Sequence, residues 1–209
     1  SSASRSACDG ASTRVLRFPD VTSAKRLHYS YDEYLDLLSR SDFKLEYGDG
    51  VIYAMAGGSI AHGALAASAI GLLDRALRGT CTVLSSDVRI RIESTGLTTF
   101  PDASVVCGDV VASETDRHAV TNPTLLIEVT SPSTEDDDRG DELSNYKQIP
   151  SLRGVLFISH RTPAVTLLQR DGNLWREQVA RAGELLELDD PHLSLAVDDV
   201  HAGISLDPA

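Results

Sequence analysis

The segment PTLLIEV at residues 123–129 decides the fold class, because it is an almost continuous apolar run. Runs dense in Leu, Ile and Val that lack a helical period are typical of strands buried on both faces. The segment PDASVVC at residues 101–107 has the same character behind a Pro–Asp opening. We therefore predict that these two segments are central strands of a sheet.

The flanking segments alternate between helical and strand patterns. In chain order they predict a helix over 31–40 with a capping box from Ser30 and Glu33, a hairpin around the turn 48–50, a long helix over 60–77 capped by Ser59, a strand over 88–92, a helix over 138–148, a strand over 152–159 and a β-meander from Val165 onward. The predicted class is α/β or α+β, with a central mixed sheet flanked by helices, an N-terminal helix and hairpin, and a C-terminal β-meander.

The size of the chain predicts one folded domain. It has 209 residues, of which 42% are apolar, and this is enough for one sizeable core but too little for two. Residues 1–26 are rich in Ser, Ala, Arg and Asp and show no sustained periodicity. We predict a flexible leader over 1–26 and a single domain over 27–209.

The charge balance disfavours two classes of protein. Nineteen Lys and Arg residues stand against thirty-one Asp and Glu residues, giving a net charge of −12. A polybasic nucleic-acid coat or a binder of anionic membranes would carry the opposite sign. The chain also lacks an unbroken apolar run of about 18 residues and an apolar signal-peptide core near its start. We expect a cytoplasmic protein with no membrane partner.

The cysteines predict neither a disulfide framework nor a zinc site. Cys8, Cys81 and Cys107 are odd in number and show no CxxC spacing. Cys81 and Cys107 lie in apolar runs, so we expect them to be small core residues.

Glu128 is the most informative residue for function, because a carboxylate inside a buried strand needs a cation as partner. Asp102 opens the neighbouring predicted strand, and adjacent strands lie ~4.8 Å apart, so the two acids can share one divalent ion. Oxygen ligands without a Cys/His cluster favour Mg²⁺ or Mn²⁺. Spacing alone favours simpler alternatives, in which Asp102 is a turn residue and Glu128 pairs with a buried arginine.

A set of ordered motifs resembles one known family. The motifs are EYGDG at 46–50, SDVRIRI at 86–92, PDASVVCG at 101–108, IEVTSPST at 127–134, DRG at 138–140, Tyr146 and IPSL at 149–152. Together they resemble the Uma-two family, whose members are classed with restriction endonucleases of the PD-(D/E)xK nuclease superfamily. The resemblance runs from about Tyr31 to Ile204 and implies a restriction-endonuclease-like core.

The resemblance also implies a set of site residues. Asp102 matches the Asp of the PD element, Glu128 matches the second acid, and both would bind the metal, with the carbonyl of Val129 as a further ligand. Glu46 matches the family's upstream acid. The implied activity is that of a Mg²⁺-dependent endonuclease that hydrolyses DNA phosphodiester bonds and works as a homodimer. In such chemistry carboxylates hold the metal, and a basic side chain orients or deprotonates the attacking water.

The chain departs from the family at its lysine. Thr130 stands at the x-K position after Glu128, and Glu142 stands where the family carries a lysine on the following helix. Lys147 is about 140° around that helix from position 142, and Arg139 stays protonated and cannot act as a base. Lys44 is two residues before Glu46 on the same predicted strand, ~6.7 Å away, and is the candidate substitute.

Two other interpretations stay open at this stage. The protein could be a nuclease fold with weakened catalysis that acts as a regulatory or interaction module, which Glu142 and the net charge favour. It could also be a small-molecule hydrolase that uses the same metal. His62, in the first turn of the predicted long helix, could border the site, but we expect it to be solvated.

Overall fold

The computed structural model describes residues 28–55, 57–130 and 139–208, without the side chains of Arg139 and Asp141. The predicted leader over 1–26 lies outside these ranges. The helices are α1 (Tyr31–Arg40), α2 (Ile60–Leu77), α3 (Arg139–Tyr146) and α4 (Val197–Val200). The strands are β1 (Leu45–Gly48), β2 (Val51–Ala54), β3 (Cys81–Ser85), β4 (Arg89–Ile92), β5 (Leu97–Thr99), β6 (Ala103–Cys107), β7 (Ala119–Val120), β8 (Leu125–Val129), β9 (Gly154–Ile158), β10 (Ala164–Asp171), β11 (Leu174–Arg181), β12 (Leu185–Leu188) and β13 (Leu193–Ala196).

A six-stranded mixed sheet, in the order β11-β10-β9-β8-β6-β3, carries the two predicted central strands. β8 and β9 are parallel, and the other pairs in this sheet are antiparallel. β6 and β8 are direct neighbours, with Ala103 opposite Ile127. The prediction of a mixed sheet flanked by helices is confirmed, as is a C-terminal run of antiparallel strands.

The N-terminal hairpin belongs to a second sheet. The hairpin joins a five-stranded sheet in the order β2-β1-β5-β4-β7. β5 links the hairpin to the rest of this sheet, because it pairs with β1 at Tyr47–Thr98 and with β4. Sequence reasoning missed β5 because three residues are too few to show an alternating pattern. β12 and β13 form a separate two-stranded sheet.

α2 covers one face of the six-stranded sheet. Its buried residues recur about one helical turn apart, at Ala61, Leu65, Ala69, Leu73 and Leu77. The Ser59 side chain accepts a hydrogen bond from the His62 N–H at the start of the helix, as predicted. By length and composition alone, α2 is also apolar enough to cross a membrane, and it is the one such helix in the described ranges.

The cysteine prediction is wrong, because Cys81 and Cys107 form a disulfide. The two residues lie directly opposite each other in the antiparallel pair of β3 and β6. Their sequence separation of 26 residues carries no spacing signal, and only the pairing of the strands brings them together.

A buried ion pair fixes β4 against the loop before β7. Two nitrogens of Arg89 donate to the two carboxylate oxygens of Asp116 at 2.6 and 2.8 Å. The Tyr31 hydroxyl and the His118 N–H also donate to Asp116, each at 3.0 Å. Burial favours the neutral acid, but the bonds from Arg89 and His118 outweigh it, so the pKa of Asp116 is lowered from its ordinary value.

We expect Asp116→Asn to destabilise the fold by about 3–5 kcal/mol at pH 7, because it leaves the Arg89 guanidinium buried without a counter-charge. Asp74→Asn is the control, since its partner Arg78 is exposed and such pairs contribute about 0.5 kcal/mol. Urea unfolding measures both. Because the pKa of Asp116 is lowered on folding, its carboxylate stabilises the fold at pH values above its unfolded-state pKa. The loss of stability in Asp116→Asn should therefore shrink as pH falls through the folded-state pKa of Asp116.

Candidate active site

A cavity of about 1020 Å³ lies between the β1–β2 hairpin, α2 and the ends of β6 and β8. It is lined by all the site residues that the sequence analysis named, which are Lys44, Glu46, Asp102, Glu128, Val129 and Glu142. These residues span nearly one hundred positions of sequence. The structure therefore brings together residues from the hairpin, two central strands and α3.

Asp102 is held by two hydrogen bonds at the start of β6. Its Oδ1 lies 2.8 Å from His62 Nε2, and its Oδ2 accepts the Val129 N–H at 2.7 Å. The Asp102 carboxylate accepts this hydrogen bond and so raises the pKa of His62. The expectation that His62 is a solvated residue is wrong, because its side chain is 22% exposed and contacts the site. Asp102 is more than a turn residue, since its carboxylate ties β6 to β8.

A single hydroxyl group lies between the carboxylates of Glu128 and Glu142. The Tyr146 hydroxyl lies 2.7 Å from Oε1 of Glu128 and 2.7 Å from Oε1 of Glu142. Burial raises the pKa of Glu128 well above its ordinary value, and the charges of Glu142, Asp102 and Glu46 raise it further. The hydrogen-bond partner of Glu128 is thus an uncharged phenol, where the simpler interpretation expected an arginine.

Glu46 is oriented by β5, the strand that sequence reasoning missed. Its Oε1 accepts hydrogen bonds from the Thr99 hydroxyl and, at 3.2 Å, from the Phe100 N–H. Thr99 Oγ1 also lies 3.2 Å from Glu142 Oε1. Thr99 therefore links the carboxylate on the hairpin to the carboxylate on α3.

Lys44 shares the cavity with Glu46, but its ammonium group is already engaged. The Nζ atom donates to the Ser86 carbonyl at 2.7 Å and to Ser86 Oγ at 2.9 Å, and it lies 3.1 Å from Asp87 Oδ1. These contacts hold the ammonium at the turn between β3 and β4. A catalytic role for Lys44 stays a prediction, and it would require the ammonium to leave this turn.

Thr130 occupies the x-K position, and its hydrogen-bond partner is His160, which the sequence analysis did not select. Thr130 Oγ1 lies 3.1 Å from His160 Nδ1, and both side chains are buried. His160 Nε2 has no hydrogen-bond partner among the described residues. Because His160 follows β9, the pairing of β9 with β8 is what brings it to Thr130.

Comparison with known proteins identifies the family of this chain. Residues 31–198 match the Uma2 family, whose description is "Putative restriction endonuclease". The chain belongs to the Uma2 family. Its relatives include the uncharacterized Synechocystis protein slr1290, 36% identical over 178 residues, which are 84% of this chain and 93% of the relative. The uncharacterized Synechocystis protein sll1609 is 29% identical over 142 residues, 68% of this chain and 80% of that relative.

A solved structure shows the same fold. It is the crystal structure titled as a "putative nuclease belonging to DUF820" from Anabaena variabilis, with a TM-score of 0.68. The match covers 83% of this chain and 98% of that chain at 16% identity. This Uma2 chain therefore has a nuclease-like α+β fold, as the sequence predicted.

The donor chemistry of the site fits a hard divalent cation. The described residues contain no group of three or more His, Cys, Asp or Glu side chains placed to hold one metal ion. The predicted metal ligands include only two such side chains, the carboxylates of Asp102 and Glu128, together with the carbonyl of Val129. Mg²⁺ commonly completes its coordination with water when a protein supplies few ligands. The charges that raise the pKa of Glu128 are the kind that a divalent cation offsets.

We expect Tyr146→Phe to lower the free energy of unfolding by about 1–3 kcal/mol at pH 7, because Glu128 loses its hydrogen-bond donor. Tyr53→Phe is the control, since Tyr53 is 51% exposed. A raised folded-state pKa means that the contribution of Glu128 to stability is lost as pH rises through that pKa. The hydrogen bond from Tyr146 lowers the pKa of Glu128 and so favours its ionised form. The deficit of Tyr146→Phe should therefore grow with pH in urea unfolding, and an equal deficit at all pH values would contradict this account.

Proposed function

We propose that this Uma2 protein is a Mg²⁺-dependent endonuclease that hydrolyses DNA phosphodiester bonds through Asp102, Glu128 and Glu46. The observation that carries the proposal is the convergence of these acids, from three separate strands or strand ends, on one cavity. Placing the carboxylates of Glu46, Asp102 and Glu142 beside the half-buried Glu128 is costly for stability, and such a cost is typical of a functional site.

Each residue has a distinct part in the proposed reaction. Asp102 and Glu128 would hold the metal with the Val129 carbonyl, and the bound metal would activate water and offset charge on the scissile phosphate. His62 keeps the Asp102 carboxylate in one orientation. Thr99 and the Phe100 N–H orient Glu46 toward the same cavity.

The proposal extends to assembly and location. By resemblance to restriction endonucleases, the protein would act as a homodimer in the cytoplasm without a membrane partner. Thiols are kept reduced in the cytosol, so in that compartment Cys81 and Cys107 would be free thiols and not the disulfide seen in the structure.

We expect Asp102→Asn to lower Mg²⁺-dependent cleavage of DNA at least ~100-fold, because the variant loses a ligand charge. Mg²⁺ should also raise the melting temperature of the wild type and leave that of Asp102→Asn nearly unchanged. The control is Glu177→Gln, which removes an exposed charge on β11. Cleavage by Asp102→Asn at the wild-type rate would overturn the assignment.

One observation favours a second candidate function, that of a nuclease fold with weakened catalysis. The carboxylate of Glu142 lies in the acidic cluster, where the family places a lysine. A negative charge at that position repels the scissile phosphate and supplies no cationic group. Such a protein would bind nucleic acid or a partner without cleaving it quickly.

Glu142→Lys separates these candidates. We expect it to raise Mg²⁺-dependent cleavage by about 10²–10⁴-fold, the range typical of general acid–base assistance. If Lys44 already acts in place of the family lysine, Lys44→Ala should abolish cleavage by the wild type, and adding Glu142→Lys should restore it. If Lys44 does not serve, Lys44→Ala should be neutral. A folded Glu142→Lys protein that binds Mg²⁺ and cleaves no DNA would favour the non-catalytic candidate.

A further inference from the structure

The six-stranded sheet ends on one side at β11, which is the longest edge strand in the part of the chain that the structure describes. It has 8 residues, whereas the other edge strands have two to five. All of its residues pair with β10 in an unbroken register, without a bulge. Proteins commonly protect a sheet edge by keeping it short or by placing a Lys, a Pro or a bulge there. β11 has none of these features, so it is open to pairing with another strand.

Alternate residues of β11 turn their backbone N–H and C=O groups away from β10. Asp171 and Leu174 lie opposite each other across a two-residue turn, and the pair that closes such a turn is hydrogen-bonded. Because hydrogen-bonded and non-hydrogen-bonded pairs alternate along an antiparallel ladder, every second residue after Leu174 faces outward. The outward residues within the strand begin with Trp175, Glu177 and Val179.

These three residues have free backbone groups. Among the described residues, none outside β11 hydrogen-bonds to the outward N–H or C=O of Trp175, Glu177 or Val179. The next outward residue, Arg181, is already engaged. Its N–H donates to Glu184 Oε2 at 2.7 Å, and its carbonyl accepts the Glu184 N–H at 2.9 Å. A strand that adds to this edge must therefore pair with Trp175, Glu177 and Val179.

A second copy of β11 fits this edge in one register. Two copies related by a two-fold axis run antiparallel, and opposite residues must share a face of the sheet, so the axis passes through one residue. Only an axis at Arg176, Glu177 or Gln178 pairs two or more of the outward residues. An axis at Arg176 or Glu177 sets like charges directly opposite each other, which is destabilising. An axis at Gln178 sets two amides opposite each other, and an amide both donates and accepts hydrogen bonds.

The register centred on Gln178 also places compatible side chains opposite each other. Glu177 faces Val179 of the second copy, and the two residues exchange backbone hydrogen bonds. Trp175 faces Arg181 of the second copy, whose guanidinium can lie against the indole ring. The edge carries two Arg and one Glu, so it lacks the acidic excess that gives the whole chain a net charge of −12. Self-association at β11 therefore avoids the repulsion expected for most of the surface.

We propose that β11 is a dimer interface, at which two copies of this chain pair edge to edge around a two-fold axis at Gln178. The two six-stranded sheets would then form one continuous sheet. This inference deepens the proposed function, because it gives the homodimer of that proposal an interface and rests on it for the dimeric state. Each edge occupies the other, so the assembly closes at two copies. No residue of β11 lines the cavity, so the two cavities stay separate.

Sedimentation of the full chain over a range of concentrations measures the dimer directly. Val179 is 44% exposed and would face Glu177 of the second copy, so Val179→Lys should strengthen the dimer and Val179→Glu should weaken it. Each cross-strand pair occurs twice in the dimer, and we expect changes of about 2- to 30-fold in Kd. In a Glu177→Gln background, Val179→Lys should lose its advantage.

Leu185 on β12 provides the matched controls for charge. It is an apolar residue that is 58% exposed and lies outside the proposed interface. Leu185→Lys and Leu185→Glu change the net charge of the chain by the same amounts as the Val179 variants. We expect both controls to dimerise like the wild type. Equal responses at Leu185 and Val179 would show a general effect of net charge and would overturn the interface.

Cross-linking tests the position of the two-fold axis. In a Cys8→Ser background, Gln178→Cys should form an intermolecular disulfide in oxidised glutathione, because opposite residues of a non-hydrogen-bonded pair have Cα atoms ~4.5 Å apart. Arg176→Cys lies on the same face but opposite Ala180 of the second copy, so it should cross-link much less. Equal cross-linking of the two variants would contradict the register.

Trp175 gives a signal from the interface itself, because it is the one tryptophan of the chain. Dilution should change its fluorescence with the same midpoint as dissociation measured by sedimentation. A dimer that dissociates without changing this fluorescence would have its interface elsewhere, which would overturn the proposal. A chain that stays monomeric at all concentrations would also overturn it, including the case in which its own residues 1–27 cover the edge.

Cleavage assays separate this inference from the proposed nuclease. A dimer that responds to the Val179 variants as expected, in a protein that cleaves no DNA in Mg²⁺, would leave the interface standing and refute the nuclease. Cleavage that depends on Asp102, in a protein whose dimer is unaffected by the Val179 variants, would support the nuclease and refute the interface.

Discussion

The hydrogen bond from the Val129 N–H to Asp102 Oδ2 is the contact on which the site depends. β6 and β8 pair with Ala103 opposite Ile127, so one further step of the register sets Asp102 opposite Glu128. Residues that face each other in an antiparallel pair share a face of the sheet. The bond at 2.7 Å holds the start of β6 to the end of β8, where the ladder stops, and it keeps the Asp102 carboxylate beside the strand that carries Glu128.

The carboxylates gathered around this point repel one another. Glu128, Asp102, Glu46 and Glu142 interact closely enough that the pKa of Glu128 is raised well above its ordinary value, with burial as the largest cause. Two neutral hydroxyl groups lie between pairs of these carboxylates. The Tyr146 hydroxyl lies between Glu128 and Glu142. The Thr99 hydroxyl lies between Glu46 and Glu142. A bound divalent cation would offset the remaining repulsion between the carboxylates, which is the electrostatic reason for proposing one.

The same framework also places apolar side chains in the lining of the cavity. The loop before β1 contributes Phe43 to this lining, and α2 contributes Ala66, Ala67 and Ile70. α2 can do this because its buried side chains recur once per turn and leave small residues such as Ala67 free to face outward. One helix therefore packs against the central sheet and also lines the cavity.

The sequence by itself determined the elements whose signals are local. The capping box of Ser30 and Glu33, the Ser59 cap and the apolar strands 103–107 and 125–129 all form as predicted, because each depends on neighbouring residues. It also named Glu46, Asp102 and Glu128, through a buried acid that needs a cation and through the family resemblance.

The tertiary structure alone decided which distant residues meet. The Cys81–Cys107 bond, the bridge from Thr99 to Glu46, the contact of His62 with Asp102 and that of His160 with Thr130 join residues up to 53 positions apart. Such contacts depend on strand order and register, which no local pattern encodes. The three-residue strand β5 is the clearest case, because its pairing with β1 and β4, and not its own sequence, makes it a strand and orients Glu46.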